Sequence, residues 1–199
     1  MKAQLKRCFQ IFALLVVTPL FALYQVFGWI FNPDSTFQSF SQVLSLLPGK
    51  TGKYLRAAFY RLACPGTSQD ISIGFLTILS HRDTTIEQGV YIGPQCNIGK
   101  CHIGANTLIG SGVHILSGKH QHEFEDPSRP IQEQGGQFEK IQVGTDCWLG
   151  NQALVMAEIG AHSIVAAGSI VIQPTATSAI VAGNPARVVG SRSSATQAK

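Results

Sequence analysis

The sequence is poor in charged residues and lacks the spacings of several common sites. Only 13% of its residues are charged, the net charge is +4, and no run of five or more Lys and Arg occurs, so nucleic acid is not expected as a partner. Its five cysteines include no CxxC pair, so no metal site is expected, and their odd number favours a reducing compartment. The stretch PGKTGK lacks the first glycine of a phosphate-binding loop, because Leu44 stands five residues before Gly49.

Charge is also missing from one long N-terminal segment. No charged residue lies between Cys8 and Pro33, and this apolar run is long enough to cross the hydrocarbon of a membrane as a helix. Large aromatic residues follow it instead of the small residues of a cleavage site, which favours an anchor over a removed signal peptide. Residues 1–33 are therefore predicted to be a membrane-association segment.

The basic residues around this segment predict its topology. They lie on both sides of the apolar run, and both sets favour the cytoplasmic surface: Lys2, Lys6, Arg7, Lys50, Lys53, Arg56 and Arg61. Two short helices bent at Pro19 within one leaflet, or one helix along the interface, would satisfy both sets better than a full span. We expect a protein at the inner or cytoplasmic membrane whose remaining chain faces the cytoplasm.

Residues 34–70 are predicted to be a helical connector, partly amphipathic and basic. Apolar residues fall at helical spacing along it: Tyr54, Leu55, Ala58, Phe59 and Leu62. Lys53, Arg56 and Arg61 lie away from that stripe. This pattern is typical of a helix on an anionic membrane surface, and equally of a helix packed on the rest of the protein.

The second half of the chain repeats with a period of about six residues. A large aliphatic residue recurs, often followed by glycine: Ile86, Ile92, Ile98, Ile103, Ile109, Ile115, Val143, Leu149, Val155, Ile159, Val165 and Val171. A second column holds small residues: Val90, Cys96, Cys101, Thr107, Val113, Cys147, Ala153, Ser163 and Ser169. This period does not fit a helix but fits short strands and tight turns, with glycine where a turn needs a permissive backbone.

These columns predict a mainly β protein with a parallel β-solenoid over residues 71–190 and a flexible tail over 191–199. A long excursion over residues 119–140 interrupts the repeat. Cys96, Cys101 and Cys147 are predicted to be unreactive core thiols, because they occupy the small interior column.

The repeat also carries a family resemblance. IGPQCNIG, IGANTLIGSGVHI, VGTDCWLGNQALVM, IVAAGSIV and VAGNPARVVG resemble the hexapeptide-repeat acyltransferases, and most closely the membrane-linked O-acetyltransferases of cell-envelope sugars. The resemblance implies a left-handed parallel β-helix that assembles as a homotrimer. It also implies acetyl-CoA or another acyl-CoA as co-substrate and a sugar or glycan acceptor.

The histidines around the excursion are the catalytic candidates. In the resembling enzymes the histidine that opens this loop removes the proton of the acceptor hydroxyl, and His120 stands in that place. His122 is a candidate substrate contact. By the phase of the repeat, His102 is expected to lie under His120, where it could orient it, and Asn97 is expected to pair with His114. Asn97 also matches an active-site asparagine of some relatives.

The resemblance places the CoA contacts further along the chain. Trp148 and Asn151 lie in the turn expected to bind the thioester, Ala167 and Gly168 in a turn along the pantetheine arm, and Arg187 where a cation could meet the CoA phosphates. One departure puts those phosphate contacts in doubt, because Gln173 stands where many relatives have lysine.

The sequence predicts an acyl-CoA-dependent O-acyltransferase, with acetyl-CoA as the expected donor. A β-helix scaffold or binding module without catalysis, and an N-acyltransferase acting on an amino sugar, remain as alternatives.

Overall fold

Three helices precede the solenoid in the computed structural model, which describes residues 2–192. They are α1 Lys2–Ile30, α2 Pro33–Ser45 and α3 Gly49–Ala63. The Asn32 side chain starts α2 by accepting hydrogen bonds from the backbone N–H groups of Asp34 and Ser35. Most of the predicted flexible tail, residues 193–199, lies outside the described residues.

The solenoid consists of three sheets, one on each side of a triangular coil, with strands numbered in chain order. The first sheet contains β1 Ser72–Ile73, β4 Tyr91–Ile92, β7 Leu108–Ile109, β10 Trp148–Leu149, β12 Ile164–Val165, β14 Ala179–Gly183 and β15 Ala186–Ser191. The second contains β2 Ile78–Leu79, β5 Asn97–Ile98, β8 His114–Ile115, β11 Leu154–Val155 and β13 Ile170–Val171. The third contains β3 Thr85–Ile86, β6 Cys101–Ile103 and β9 Ile141–Val143.

All pairings in the coils are parallel, and the solenoid is followed by an antiparallel pair of β14 with β15. We call the turns from the first to the second sheet the first corner, those from the second to the third sheet the second corner, and those from the third to the first sheet the third corner. The predicted parallel solenoid is confirmed.

The two columns of the repeat form the solenoid core. Every residue of the aliphatic column and every residue of the small column is buried, including Cys96, Cys101 and Cys147. Burial raises the pKa of the Cys101 thiol to about 12 and raises the pKa of Cys96 and Cys147 as well. The core begins earlier than the predicted column, with Ile73 and Leu79. The step from Leu79 to Ile86 is one residue longer than the repeat, which hid them in the sequence.

Glycine follows the aliphatic residue for a different structural reason from the predicted one. At Gly93, Gly110 and Gly150 an added Cβ would lie 2.4–2.8 Å from backbone atoms of the next coil, and none of the three has a positive φ. These glycines let neighbouring coils stack closely. The left-handed turn position comes two residues later and is often not glycine, as at Gln95 (φ 60°) and Gln152 (φ 58°).

Helices α2 and α3 cover the open N-terminal end of the solenoid. A first coil has unpaired backbone groups, and side chains of the helices satisfy several of them. Arg56 donates to the carbonyls of Ile73, Leu44 and Leu47, at 3.1, 2.9 and 2.7 Å. Ser41 Oγ accepts from the backbone N–H of Leu79 at 2.8 Å. The prediction that Arg56 lies on the outer polar side of its helix is therefore wrong, since its side chain is completely buried.

Helix α1 lies across this helical cap and is bonded near its start to the residues that lead into the first coil. Near its start Lys6 forms an ion pair with Asp70, and the Gln10 carbonyl accepts from the Gln69 amide at 2.7 Å. Near its other end Tyr24 and Arg82 line the same cavity. The helix runs unbroken through Pro19, so the alternative of two short helices is not observed.

Most of the α1 surface is apolar and exposed. Ala13, Val17 and Tyr24 are buried against the cap, whereas Phe12 (63%), Leu15 (68%) and Trp29 (88%) are largely exposed. Residues 4–30 are long and apolar enough to cross a membrane.

Candidate active site

A long loop leaves the coil at the second corner, between the end of β8 at Ile115 and the start of β9 at Ile141. Its two arms pair as a stem: the backbone N–H of Glu139 donates to the Ser117 carbonyl at 2.9 Å, and that of Gln137 donates to the His120 carbonyl at 2.7 Å. The stem fixes the backbone of His120 at the mouth of the loop.

Contacts with the preceding coils hold the returning arm. The Lys140 ammonium donates to Asp83 at 2.8 Å, and the Phe138 ring lies 5.3 Å from the His81 ring. Lys100 also pairs with Asp83, at 3.2 Å. These two lysines hold the pKa of the Asp83 carboxyl below its usual value. The Asp83 carboxylate thus joins Lys140 at the base of the loop to the coil of Asp83 itself and to the coil of Lys100.

His120 faces a carboxylate that the sequence did not single out. Its Nδ1 lies 3.6 Å from Oε1 of Glu139, and both side chains are largely exposed, by 69% and 49%. Gly118, which has a φ of 86°, lies next to Glu139, since an added Cβ there would be 2.8 Å from Oε2 of Glu139. With Nδ1 next to an acid, Nε2 of His120 is the nitrogen left for a substrate.

The predicted stacking of His102 under His120 is wrong. His102 is paired in register with Thr85 and Gln142, since the chain leaves the coil before it reaches the third sheet and returns to it only with β9. The His102 Nε2 instead lies 3.0 Å from Glu87 Oε1, and the other oxygen of Glu87 accepts from the Ala105 N–H at 2.8 Å. These bonds hold the pKa of Glu87 below its usual value.

The other predicted acceptor contacts lie on separate parts of this region. Asn97 and His114 are adjacent in register on the second sheet, as predicted, and both are exposed. His122 is exposed on the loop. The second sheet extends from the first corner to the second, so Asn97 and His114 lie between the loop and the turns that contain Asn151 and Gly168.

The predicted CoA contacts cluster at the first corner and at the end of the coil. The Asn151 side chain accepts from the Ser111 N–H at 3.0 Å, and its carbonyl accepts from the Gly168 N–H at 2.9 Å. Asn151, Ala167 and Gly168 therefore stack in one column, whereas Trp148 stands on the first sheet between Leu108 and Ile164. Within a single chain, this column therefore lies the width of the second sheet away from His120.

Arg187 and Gln173 line one cavity of about 340 Å³ between β13 and the last hairpin. The guanidinium of Arg187 donates only to the neighbouring Ala186 carbonyl among the bonds of the described residues. Arg192, the other basic residue near the end of the described chain, is bonded to Asp146 at 2.8 Å. Arg187 is therefore the cation available beside the position where the family lysine is replaced.

Comparison with known proteins identifies the repeat. The family described as the bacterial transferase hexapeptide (six repeats) matches residues 83–117. A chloramphenicol acetyltransferase of Klebsiella aerogenes is 30% identical over 112 residues, which are 48% of this chain and 53% of that protein. The chain therefore spans about half the length of this curated relative.

Solved structures show the same fold. A maltose O-acetyltransferase from Clostridium difficile superposes with a TM-score of 0.69 at 16% identity, covering 81% of this chain and 89% of that one. A galactoside acetyltransferase in complex with coenzyme A gives 0.59 at 17% identity, covering 81% and 83%. These structures share the fold, and the match over residues 83–117 confirms the predicted resemblance to hexapeptide-repeat proteins.

Proposed function

We propose that this protein is an acyltransferase that moves an acyl group, in the first instance acetyl, from acyl-CoA to a hydroxyl of a sugar or cell-envelope glycan precursor. The observation that carries the proposal is His120 at the loop mouth, with Glu139 beside Nδ1, on a hexapeptide-repeat coil. The donor and acceptor classes come from the maltose and galactoside acetyltransferases of similar fold, the second of which was solved with coenzyme A. The coil is proposed to be left-handed.

His120 acts as the general base in this mechanism. Its Nε2 takes the proton of the acceptor hydroxyl while the hydroxyl oxygen bonds to the thioester carbonyl carbon. The carbon–sulfur bond then breaks, and the proton on the imidazole passes to the departing CoA sulfur. Glu139 is the proposed positioning residue, because its carboxylate lies 3.6 Å from Nδ1 and leaves Nε2 to face the acceptor.

The CoA contacts are proposed at the first corner and the terminal hairpin. Backbone N–H groups near Asn151, with Ala167 and Gly168 beside them, would meet the thioester and pantetheine, with Trp148 packed on the arm. Arg187 would meet the CoA phosphates in place of the family lysine.

The protein is further proposed to work as a homotrimer at the cytoplasmic side of the inner or cytoplasmic membrane. The exposed apolar side of α1 supports membrane association. The Lys6–Asp70 ion pair near its start and the packing of Tyr24 on the cap support an orientation along the membrane surface over a span.

A cycle of variants at the loop tests the proposal. With labelled acetyl-CoA and a panel of sugars, His120→Ala should lower kcat by about 10²- to 10⁴-fold without altering the melting temperature. Glu139→Gln should lower kcat less and leave KM unchanged, and Glu139→Asp should restore part of the loss. In the His120→Ala background, Glu139→Gln should not lower kcat further, because the Glu139 carboxylate acts only through the imidazole of His120.

Two results would contradict these roles. Wild-type turnover by folded His120→Ala would remove the general base. Equal and independent losses from Glu139→Gln in both backgrounds would assign Glu139 a structural role. Matched panels of amino sugars and neutral sugars distinguish N- from O-acylation.

A further inference from the structure

An apolar groove separates α1 from α3 at the start of both helices. It has a volume of about 460 Å³ and is lined by Leu5, Phe9, Phe12, Val16 and Leu55, among others. Three of these, Leu5 (58%), Phe12 (63%) and Val16 (47%), remain largely exposed on the described protein. The helices do not fill the space between them, although the Phe9 and Tyr54 rings meet at 5.8 Å.

A second cavity continues from this groove toward the first sheet. We call it the headgroup cavity; it measures about 380 Å³ and shares Lys6, Lys50 and Tyr54 with the groove. Its remaining lining combines the polar residues Lys53, Gln10, Gln69, Asp70 and Ser72 with the apolar side chains of Ile71, Val90 and Tyr91. The two cavities therefore adjoin at Lys6, Lys50 and Tyr54, and the headgroup cavity is the more polar of the two.

The charge of the headgroup cavity is unbalanced. Lys6 pairs with Asp70, which is the acidic residue in the lining. Among the described residues no ion pair involves Lys50 or Lys53; the Lys53 ammonium lies 5.6 Å from the centre of the Tyr91 ring. The first turn of α3 contains no acidic residue. Two ammonium groups therefore remain for an anion from outside the chain.

We propose that the groove and the headgroup cavity together bind one anionic glycerophospholipid of the membrane. Its phosphate lies between Lys50 and Lys53, its headgroup hydroxyls meet Gln10, Gln69 and Ser72, and an acyl chain follows the groove. The proposal rests on the membrane association of the proposed function and adds a defined site to it.

The lining favours this occupant over other apolar anions. The amide N–H groups of Gln10 and Gln69 donate to each other's backbone carbonyls. Their amide oxygens and the Ser72 hydroxyl beside the lysines suit a glycerol headgroup, which an isoprenyl phosphate lacks. The groove opens on the same exposed side of α1 that contains Leu5, Phe12 and Val16, so the second acyl chain can remain in the bilayer. The lipid would fix α1 on the membrane plane with the lysines at phosphate level.

Native mass spectrometry in neutral detergent tests the site. The full chain is mixed with phosphatidylglycerol, with phosphatidylcholine or with an isoprenyl phosphate, and retained lipid is counted per chain. Wild type should keep one phosphatidylglycerol and little phosphatidylcholine. Lys50→Gln/Lys53→Gln should bind phosphatidylglycerol about 20- to 30-fold more weakly, at about fivefold for each lysine.

A matched variant controls for overall charge. Lys119→Gln/Arg129→Gln removes the same two charges from the distant loop and should retain phosphatidylglycerol like wild type. Melting curves by circular dichroism should be the same for both variants, since all four side chains are at least partly exposed.

The outcomes separate this site from membrane association as such. Equal losses in the two double variants, equal retention of both phospholipids, or stronger retention of the isoprenyl phosphate would overturn the phospholipid site. Flotation with phosphatidylcholine vesicles provides the separate measurement: a wild-type chain that fails to float on vesicles with or without phosphatidylglycerol contradicts membrane association itself.

Discussion

At the scale of single residues, the glycines of this solenoid serve two purposes that the sequence does not distinguish. An added Cβ at Gly110 would lie 2.7 Å from the Asn151 backbone nitrogen, whereas at Gly168 it would meet open space but an unfavourable φ of 68°. The first glycine is required by the distance between coils and the second by the turn.

We predict that Gly110→Ala destabilises the protein more than Gly168→Ala. Overpacking between coils should lower the free energy of unfolding by about 3 kcal/mol, and the left-handed backbone by about 1 kcal/mol. Denaturant unfolding of both variants in the same detergent measures the difference. Equal losses would mean that the coils separate easily at this corner.

The cysteines give a second prediction at this scale. Cys8 is exposed, whereas Cys64, Cys96, Cys101 and Cys147 are buried. Burial raises the pKa of the four buried thiols, so each carries little thiolate at neutral pH. A disulfide reagent should modify one thiol per folded chain in detergent and five after denaturation.

The control for this measurement is Cys8→Ser, which should show no fast thiol in the folded chain. Rapid modification of a second thiol in the native protein would show that a coil opens readily.

At the scale of elements, the helices matter more to the solenoid than the sequence indicated. Tyr24 of α1 packs its ring edge-on against Phe37, Phe40 and Phe59, with ring centres 5.6–6.3 Å apart. This aromatic cluster joins α1 to the cap, and the cap joins the first coil through Arg56 and Ser41.

We predict that deleting residues 1–31 releases the protein from vesicles but also lowers its melting temperature. The deletion spares Asn32, the cap of α2, and exposes the aromatic cluster, so binding of an apolar dye should rise. Ile11→Gln/Leu15→Gln is the matched control: it weakens vesicle binding at exposed positions without affecting the melting temperature. An unchanged melting temperature after the deletion would show that α1 contributes nothing to the fold.

The sequence predicted elements with a strict period and missed those fixed by tertiary contacts. Aliphatic and small columns specify the coil because each residue faces the same interior at every turn. Arg56 stands where the helical spacing of α3 predicts a surface residue. Its burial is explained only by the carbonyls of Ile73 and Leu44, to which it donates. Glu139 lies nineteen positions after His120 in a loop without period, so nothing in the sequence indicated that the stem brings them together.

At the scale of the whole molecule, the candidate site is divided between two corners of the coil. His120 lies at the second corner, and the column of Asn151 and Gly168 lies at the first. The outer side of the first sheet also exposes Tyr91 (38%), Leu108 (46%) and Trp148 (53%) in register. An apolar ladder of this kind favours contact with another chain.

We predict that three chains form a closed ring in which His120 of one subunit meets the CoA turn of the next. Sedimentation in detergent should give a trimer. Mixing inactive His120→Ala with inactive Ala167→Glu subunits should then restore activity, since every mixed ring contains one junction with an intact histidine and an intact turn. An equal mixture should recover about a quarter of wild-type activity, because about three rings in four are mixed and each has one working site of three. No recovery after proven subunit exchange would place the whole site within a single chain.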